Sequence, residues 1–168
     1  LTNILKLNRL ENQQIYPQAK EYDLGEQLCE CLLHYEEVWE KAGIEVETQI
    51  AEDVMVKADA ELLSHVWNNL FSNAFKFTGE GGKVMVSLRA TDHHAIVQVK
   101  DTGIGMSPET GAHIFEKFYQ GDTSHATRGN GLGLALVKRV IDILQGEISV
   151  ESALGQGTAL TVKIRKVS

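Results

Sequence analysis

The stretch at residues 95–106, AIVQVKDTGIGM, constrains the possible folds of this chain more than any other part of it. Its first half consists of apolar residues interrupted by single polar ones, a pattern that is typical of a buried β-strand. Asp101 stands at the end of that strand and is followed by Gly103, Ile104 and Gly105. Because glycine lacks a side chain, the backbone there can come close to a flat ligand.

Asp101 is the chemically informative residue of this stretch. An ionised carboxylate only accepts hydrogen bonds, so it suits a ligand that presents a donor such as an exocyclic amine. The same pattern is also typical of a plain hairpin, or of a strand-to-helix turn in which the aspartate caps the helix. On this stretch alone, both interpretations stay open.

The composition is that of an ordinary globular domain. The chain has 168 residues, which is enough for one compact α/β domain with its own core. With 16 basic and 23 acidic residues the net charge is −7, which argues against a nucleic-acid partner. No apolar run is long enough for a membrane span, and no signal peptide is visible.

Two further features concern the setting of the chain. Cys29 and Cys31 lie two residues apart on a predicted helix, where they point to different sides and cannot easily form a disulfide. Free thiols of this kind are typical of a reducing compartment, so we expect a cytoplasmic domain. Because the chain begins at Leu1 in the middle of a helical pattern, we also expect it to be a piece of a larger protein.

Periodicity along the chain predicts a mixed α/β fold. Helices are predicted at residues 23–42, 59–77 and 132–145, with a short one after Ser107, and strands at residues 44–50, 54–57, 83–90, 95–101, 147–151 and 158–165. Residues 12–21 are predicted as a polar connector and residues 120–131 as a mobile loop. Since strands adjacent in sequence dominate, we predict a two-layer α/β sandwich, with one mixed, mostly antiparallel sheet packed on about three helices.

The predicted helix at residues 59–77 has an apolar and a polar face. The apolar face is the predicted core side, and it comprises Leu63, Val66, Trp67, Leu70, Phe71, Ala74 and Phe75. The polar stripe comprises His65, Asn69, Ser72, Asn73 and Lys76. A solvated helix face explains such a stripe, but asparagine is a poor helix former, by about 0.5 kcal/mol relative to alanine. Asn69 and Asn73 lie one turn apart, a spacing at which amide oxygens can hold a hard cation such as Mg²⁺.

A second glycine-rich stretch, RGNGLGL at residues 128–134, leads into the last predicted helix. Backbone N–H groups at the start of a helix, with glycines ahead of them, form a favourable site for phosphate. The glycines do not match a dinucleotide-binding fingerprint after a parallel strand, and no P-loop lysine follows them. The chain therefore carries candidate sites for an amine-bearing ligand, a hard cation and a phosphate.

Taken in order, these stretches resemble the motifs of a known family. NLFSNA with KFT at residues 69–78, DTGIG at 101–105, IFEKFY at 114–119 and GNGLGL at 129–134 resemble the N, G1, F and G2 boxes of the catalytic, ATP-binding domain of sensor histidine kinases. GQGT at residues 155–158 resembles the glycine motif of the last hairpin of that domain. The resemblance spans nearly all of residues 23–166, and it implies the ATP-binding α/β sandwich shared with DNA gyrase, the Hsp90 chaperones and MutL.

The resemblance implies roles for particular residues. Those implied to bind the cofactor ATP are Asn69, Asn73, Lys76, Phe77, Asp101, Gly103, Ile104, Gly105, Met106, Arg128, Gly129, Gly131, Leu132, Gly133, Leu134 and Thr158. Among them, Asp101 would accept a hydrogen bond from the adenine amine, and Asn69 would be the Mg²⁺ ligand. An ATP lid that includes the mobile loop is implied at about residues 107–131.

The implied activity is that of a protein-histidine kinase. The domain would transfer the γ-phosphoryl group of Mg²⁺–ATP to a histidine on a dimerisation helix that this chain does not contain, for onward transfer to an aspartate of a response regulator. His65 stands where ATP-hydrolysing relatives carry a glutamate, and His65 and Asn69 are the implied catalytic residues. A neutral histidine acceptor already carries a lone pair, so positioning and charge neutralisation should contribute most of the catalysis.

The same resemblance implies the domain organisation and the partners. Residues 1–16 would be the end of the second dimerisation helix with its linker, and residues 17–168 the ATP-binding catalytic domain. The expected partners are the dimerisation helices of a homodimeric, membrane-bound parent and a response regulator receiver domain. Two alternatives on the same fold are a serine kinase of the anti-sigma-factor type and a nucleotide-sensing module without transfer activity.

Overall fold

The structure, a computed structural model, describes residues 18–116 and 133–167. Its strands are β1 (Lys20–Asp23), β2 (Glu45–Ile50), β3 (Met55–Ala58), β4 (Lys83–Ala90), β5 (His94–Asp101), β6 (Glu147–Ala153) and β7 (Gly157–Arg165). Its helices are α1 (Leu24–Leu33), α2 (Glu36–Ala42), α3 (Ala60–Phe77), α4 (Pro108–His113) and α5 (Gly133–Ile143). Residues 1–16, predicted as a dimerisation-helix remnant with its linker, lie outside the described residues, as do residues 117–131 of the predicted lid.

Five strands form the main sheet, in the order β2-β4-β5-β7-β6. The β2–β4 pair is parallel, whereas the β4–β5, β5–β7 and β6–β7 pairs are antiparallel. Helix α3 packs against α1, α5 and strand β5, so a helical layer covers one face of the sheet. The predicted two-layer sandwich with a mixed, mostly antiparallel sheet is confirmed. Within the described part of the chain, no helix is both long enough and apolar enough to cross a membrane.

Helix α3 is the centre of the hydrophobic core. Asp59 caps its first turn by accepting a hydrogen bond from the backbone N–H of Leu62 at 3.1 Å. The residues predicted for its apolar face are all buried, with at most 5% of their surface exposed: Leu63, Val66, Trp67, Leu70, Phe71, Ala74 and Phe75. Because an α-helix has about 3.6 residues per turn, the residues of the polar stripe lie on the side of α3 that faces away from this core.

A buried glutamine joins α1 to α3. Gln27 is 9% exposed, and its Nε2 donates to the backbone carbonyl of Ala60 at 2.8 Å and to Ser64 Oγ at 3.0 Å. Its Oε1 accepts from Tyr22 OH at 2.7 Å and from Trp67 Nε1 at 2.9 Å. Since all four hydrogen-bonding positions of the amide are used, the group is buried without an unpaired polar atom. The network fixes the first turns of α3 relative to α1.

The prediction of a single helix at residues 23–42 is wrong, because the chain turns at His34 and Tyr35 between α1 and α2. Tyr35 leaves the helical conformation, with φ −102° and ψ 9°. Its ring stacks on Phe75 with centroids 5.7 Å apart, and its OH donates to the backbone carbonyl of Asn68 at 3.1 Å. These contacts with α3 stabilise the turn. Apolar periodicity does not reveal it, because both helices place their apolar residues on the same side.

The polar connector predicted at residues 12–21 is partly wrong, because Lys20–Asp23 forms strand β1. This strand pairs antiparallel with β3, with Tyr22 opposite Val56. Its first two residues are exposed, so it has little apolar alternation for a sequence pattern to detect. The strand forms because its backbone is paired, not because its side chains are buried.

Two helices are followed by a residue in the left-handed conformation, and only one of these residues is a glycine. Gly43 follows α2 in the left-handed conformation, with φ 65°. After α5 the left-handed residue is Gln145, with φ 56°, and Gly146 follows it. Gly146 is required for a different reason, since a Cβ atom on it would lie 2.7 Å from the carbonyl oxygen of Lys163 in β7.

Candidate functional site

Asp101 lies at the end of β5, where the sheet meets the glycine turn, and only 7% of its surface is exposed. Its Oδ1 accepts hydrogen bonds from the backbone N–H of Gly103 at 2.8 Å and of Thr158 at 3.3 Å. Burial raises the pKa of the Asp101 carboxyl, and these two donors lower it by a smaller amount. Because both bonds go to Oδ1, Oδ2 is the oxygen that can accept from a ligand.

The glycine turn packs so closely on other backbone segments that side chains do not fit between them. A Cβ atom on Gly103 would lie 2.2 Å from the carbonyl oxygen of Phe77, the last residue of α3. A Cβ atom on Gly105, which has φ 71°, would lie 1.9 Å from the carbonyl oxygen of Ala153. The N–H of Ile104 also donates to the Phe77 carbonyl at 3.2 Å. Backbone contacts therefore hold the end of α3 and the last hairpin against the turn.

Ser152 connects the last hairpin to this turn, and sequence reasoning missed it. Its Oγ accepts from the N–H of Met106 at 2.8 Å, and it lies 3.0 Å from the carbonyl oxygen of Gly157 and 2.8 Å from Thr158 Oγ1. Ser152 occupies a half-buried position of β6, on the same face as Val150. A hydroxyl at a core-facing position of an alternating strand is the sequence signal that could have identified it.

The polar stripe of α3 meets the start of α5 at Asn69. Its Nδ2 donates to the carbonyl oxygen of His65, one turn earlier, at 2.7 Å, which fixes the orientation of the amide. Its Oδ1 faces Gly133, the first residue of α5, where a Cβ atom would lie 2.8 Å from that oxygen. Gly133 and Leu134 belong to the first described turn of α5, and N–H groups in the first turn of a helix have no acceptor within it. An amide oxygen beside such N–H groups suits a hard cation and an anion bound together.

The other candidate residues of α3 continue this stripe towards the glycine turn. Asn73 and Phe77 are half-buried, and Lys76 is exposed, with its Nζ 5.9 Å from the centroid of the Phe77 ring. Asn69, Asn73 and Phe77 recur every four residues, so they form a slanted line along about 12 Å of helix, each about 40° around the helix from the one before. One end of this line faces the start of α5, and the other end contacts the turn after Asp101.

Four residues predicted to bind the cofactor lie outside the described residues: Arg128, Gly129, Gly131 and Leu132. Of the predicted lid, the structure describes residues 107–116, where Ser107 caps α4 by accepting from the N–H of Thr110 at 3.2 Å. Ile104 and Met106, also predicted at the cofactor, are exposed and half-buried respectively.

The described residues form a site with two chemically different ends. At one end the structure brings together Phe77, Asp101, Gly103, Gly105 and Thr158. A buried carboxylate beside a turn that has almost no side chains fits a flat group that carries an amine. At the other end Asn69 and Gly133 come together, with His65 half-buried one turn before. That end fits phosphate with a metal ion.

Comparison with known families gives one match over much of the chain. Residues 58–168 match the family described as histidine kinase-, DNA gyrase B-, and HSP90-like ATPase. Sensor histidine kinase RppB of Synechocystis is 32% identical over 167 residues, which cover 98% of this chain and 37% of RppB. The chain spans only 20–40% of the length of the curated relatives that it matches.

The fold also matches solved structures. Full-length ShkA in complex with AMPPNP superposes with a TM-score of 0.87 at 30% identity, over 99% of this chain and 35% of ShkA. Histidine kinase ThkA in complex with response regulator protein TrrA gives a TM-score of 0.80 at 25% identity, over 98% of this chain and 47% of ThkA. Both matches therefore include the whole two-layer sandwich.

We expect Gly103→Ala to destabilise the chain by about 3 kcal/mol, because the added Cβ would collide with a carbonyl group of α3 that cannot move by itself. The matched control is Gly79→Ala, where an added Cβ has no atom within 4 Å, and its effect should stay below about 0.5 kcal/mol. Urea unfolding of both variants measures the difference. Equal stabilities would contradict the close backbone packing at the turn.

Proposed function

This chain belongs to the histidine kinase-, DNA gyrase B- and HSP90-like ATPase family as an ATP-binding catalytic domain of the sensor histidine kinase type, and we propose that it binds Mg²⁺–ATP and donates the γ-phosphoryl group to a histidine. The acceptor would lie on a dimerisation helix of the parent protein. A response regulator aspartate would then receive the phosphoryl group.

One observation carries the proposal: a line of residues on α3 runs from the glycine turn beside the buried Asp101 carboxylate to the Asn69 amide oxygen, which faces the start of α5. With the adenine amine at Asp101, the triphosphate would extend along α3 towards Asn69 and Gly133. The half-buried ring of Phe77 stands at the adenine end, where an aromatic face suits a purine. The AMPPNP bound to ShkA is an ATP analogue and supports this choice of ligand.

Mg²⁺ fits the donor set at the second end. Asn69 would hold the ion, because an amide oxygen is a hard ligand and the bond from Nδ2 to His65 leaves Oδ1 directed towards Gly133. When bound, the ion would neutralise charge on the phosphates. Asn73 and Lys76, which follow on the same stripe, would contact phosphate oxygens.

The residues of this chain would act by positioning rather than by strong base catalysis. The N–H groups at the start of α5 would bind the phosphates, and the turn after Asp101 would orient the adenine, so that the γ-phosphoryl group faces the incoming histidine. A neutral imidazole needs no base to become a nucleophile. His65, one turn before Asn69, would orient the acceptor or a water on the metal rather than accept the phosphoryl group itself.

The partners follow from the same proposal. The TrrA bound to ThkA supports a response regulator as the second partner, and the dimerisation helices of a homodimeric parent would be the first. We propose a cytoplasmic location, because the substrate is ATP and because Cys29 and Cys31 are both free thiols.

The Asp101→Asn variant should retain the fold but lose most of its affinity for ATP. The carbonyl of the asparagine can still accept from Gly103 and Thr158, whereas its NH₂ group would face the adenine amine, which costs about 2–4 kcal/mol, or about 30- to 1,000-fold in affinity. Calorimetric titration with ATP measures this loss, and near-normal ATP affinity in the variant would refute the role of Asp101. Asp92→Asn, in the exposed turn between β4 and β5, is the matched control and should bind ATP normally.

The pH dependence of stability follows from the same carboxyl. Because burial raises the pKa of folded Asp101, the contribution of this group to stability is greatest below its unfolded pKa and is lost as pH rises through the folded pKa. Asp101→Asn should therefore be at least as stable as the native chain at neutral pH, with the difference closing as pH falls.

Asn69→Ala should weaken ATP binding mainly when Mg²⁺ is present, because the variant loses the metal ligand but retains the contacts to the base. Because loss of a residue that only supports a metal ligand typically costs about 10- to 100-fold in metal affinity, loss of the ligand itself should cost at least about tenfold. Titrations with Mg²⁺ and with a chelator measure the two affinities, and Asn73→Ala, which would lose a phosphate contact, should weaken both. An equal loss in chelator for Asn69→Ala would show that Asn69 contacts the nucleotide directly or supports the fold.

The isolated chain should bind ATP without labelling itself, because His65 is fixed on α3 beside Asn69 and cannot attack the γ-phosphate in line. The dimerisation hairpin of its own parent, supplied as a separate polypeptide, should accept acid-labile label from γ-labelled ATP at a rate that rises with hairpin concentration. A hairpin whose acceptor histidine is replaced by alanine is the control. ATP binding without transfer to the native hairpin would favour a nucleotide-sensing module, and acid-stable label would favour a serine kinase.

A further inference from the structure

The hydroxyl of Ser152 lies where three segments of the site meet. It contacts the N–H of Met106 in the glycine turn, the carbonyl of Gly157 at the start of β7, and the hydroxyl of Thr158. Thr158 in turn donates its backbone N–H to Asp101, and the two residues lie opposite each other in the β5–β7 register. Ser152 is therefore connected through one intervening residue, Thr158, to the carboxylate that is proposed to bind adenine.

The three contacts determine the positions of the hydrogens. A serine hydroxyl has one hydrogen to donate and two lone pairs to accept with. The N–H of Met106 can only donate, and the carbonyl of Gly157 can only accept. Ser152 therefore donates to Gly157, and its second lone pair accepts from the hydroxyl of Thr158. This is the arrangement that makes all three contacts hydrogen bonds.

This arrangement leaves the Thr158 hydroxyl as an acceptor, since its only hydrogen is directed to Ser152. Asp101 lies opposite Thr158 in the β5–β7 register, so the two side chains project from the same face of the sheet, and Oδ2 of Asp101 is an acceptor as well. Two acceptors on the same face of the sheet match the two hydrogens of an exocyclic amine. They repel a carbonyl oxygen, which guanine carries in place of the adenine amine.

We propose that Ser152 is a positioning residue that selects adenine over guanine, because it holds the Thr158 hydroxyl as an acceptor beside Asp101. This inference rests on the proposed ATP-binding function and names the group that sets its base specificity. Ser152 itself does not touch the nucleotide.

The contribution of Ser152 is separable from the attachment of the hairpin. The N–H of Gly155 donates to the carbonyl of Ile104 at 2.8 Å, so a backbone bond already joins the hairpin to the glycine turn. The β6–β7 ladder, with Ser152 opposite Thr158, also consists of backbone bonds. Loss of the hydroxyl should therefore release Thr158 to rotate and donate, while the surrounding backbone keeps its place.

The experiment compares ATP and GTP affinities by calorimetric titration in the native chain and in Ser152→Ala. ATP affinity should fall about tenfold, as expected for loss of one buried hydrogen bond, while GTP affinity stays constant or rises. Ser149→Ala, on the exposed face of the same strand, is the matched control and should retain both affinities. If Ser152→Ala does not fold, Ser152→Cys keeps the side-chain shape with a weaker donor and acceptor, and it should shift the ATP-to-GTP ratio in the same direction.

A double-mutant cycle tests whether Ser152 acts through Thr158. In a Thr158→Val background there is no hydroxyl to orient, so Ser152→Ala should have little further effect on the ATP-to-GTP ratio. An unchanged ratio in Ser152→Ala would overturn the inference, and so would equal losses of ATP and GTP affinity together with lower stability in urea. Failure of the native chain to bind ATP would instead refute the proposed function, whatever Ser152 does.

Discussion

The close approach of three backbone segments at the end of β5 is the constraint on which the rest of the site depends. A Cβ atom on Gly157 would lie 2.0 Å from the carbonyl oxygen of Asp101, and Gly103 and Gly105 leave as little room on the other sides. A helix end, a strand end and a hairpin can therefore meet without side chains between them. The donors that hold the Asp101 carboxylate are backbone N–H groups of these segments, so its position does not rely on flexible side chains.

Burial of that carboxylate has an energetic consequence that suits a binding site. A buried charge opposes folding unless hydrogen bonds compensate for the lost water. Asp101 receives two N–H bonds, yet the pKa of its carboxyl stays raised, so the compensation is incomplete. A ligand amine at Oδ2 would provide a further donor. The rigid backbone around the turn keeps the carboxylate ready for such a ligand, because the cost of ordering it is met during folding.

Helix α3 contributes both to the stability of the domain and to its candidate site. Its apolar face forms the centre of the core, and the Gln27 network fixes its first turns. Its opposite face presents Asn69 to the start of α5, and its last residue, Phe77, contacts the glycine turn. Because one rigid helix carries both ends of the site, the distance between the proposed adenine and phosphate ends is set by helix geometry.

The sequence by itself determined the elements whose side chains follow a strong local period, such as α3 and β4, together with the identity of Asp101 and Asn69 as candidate residues. Only the tertiary structure decided the turn at Tyr35, the strand Lys20–Asp23 and the contacts of Ser152. The physical reason is the range of the interactions. Periodicity records whether a side chain faces the core, whereas each of these three features depends on at least one contact with a partner more than 30 positions away: Asn68 for Tyr35, β3 for β1, and Met106 for Ser152.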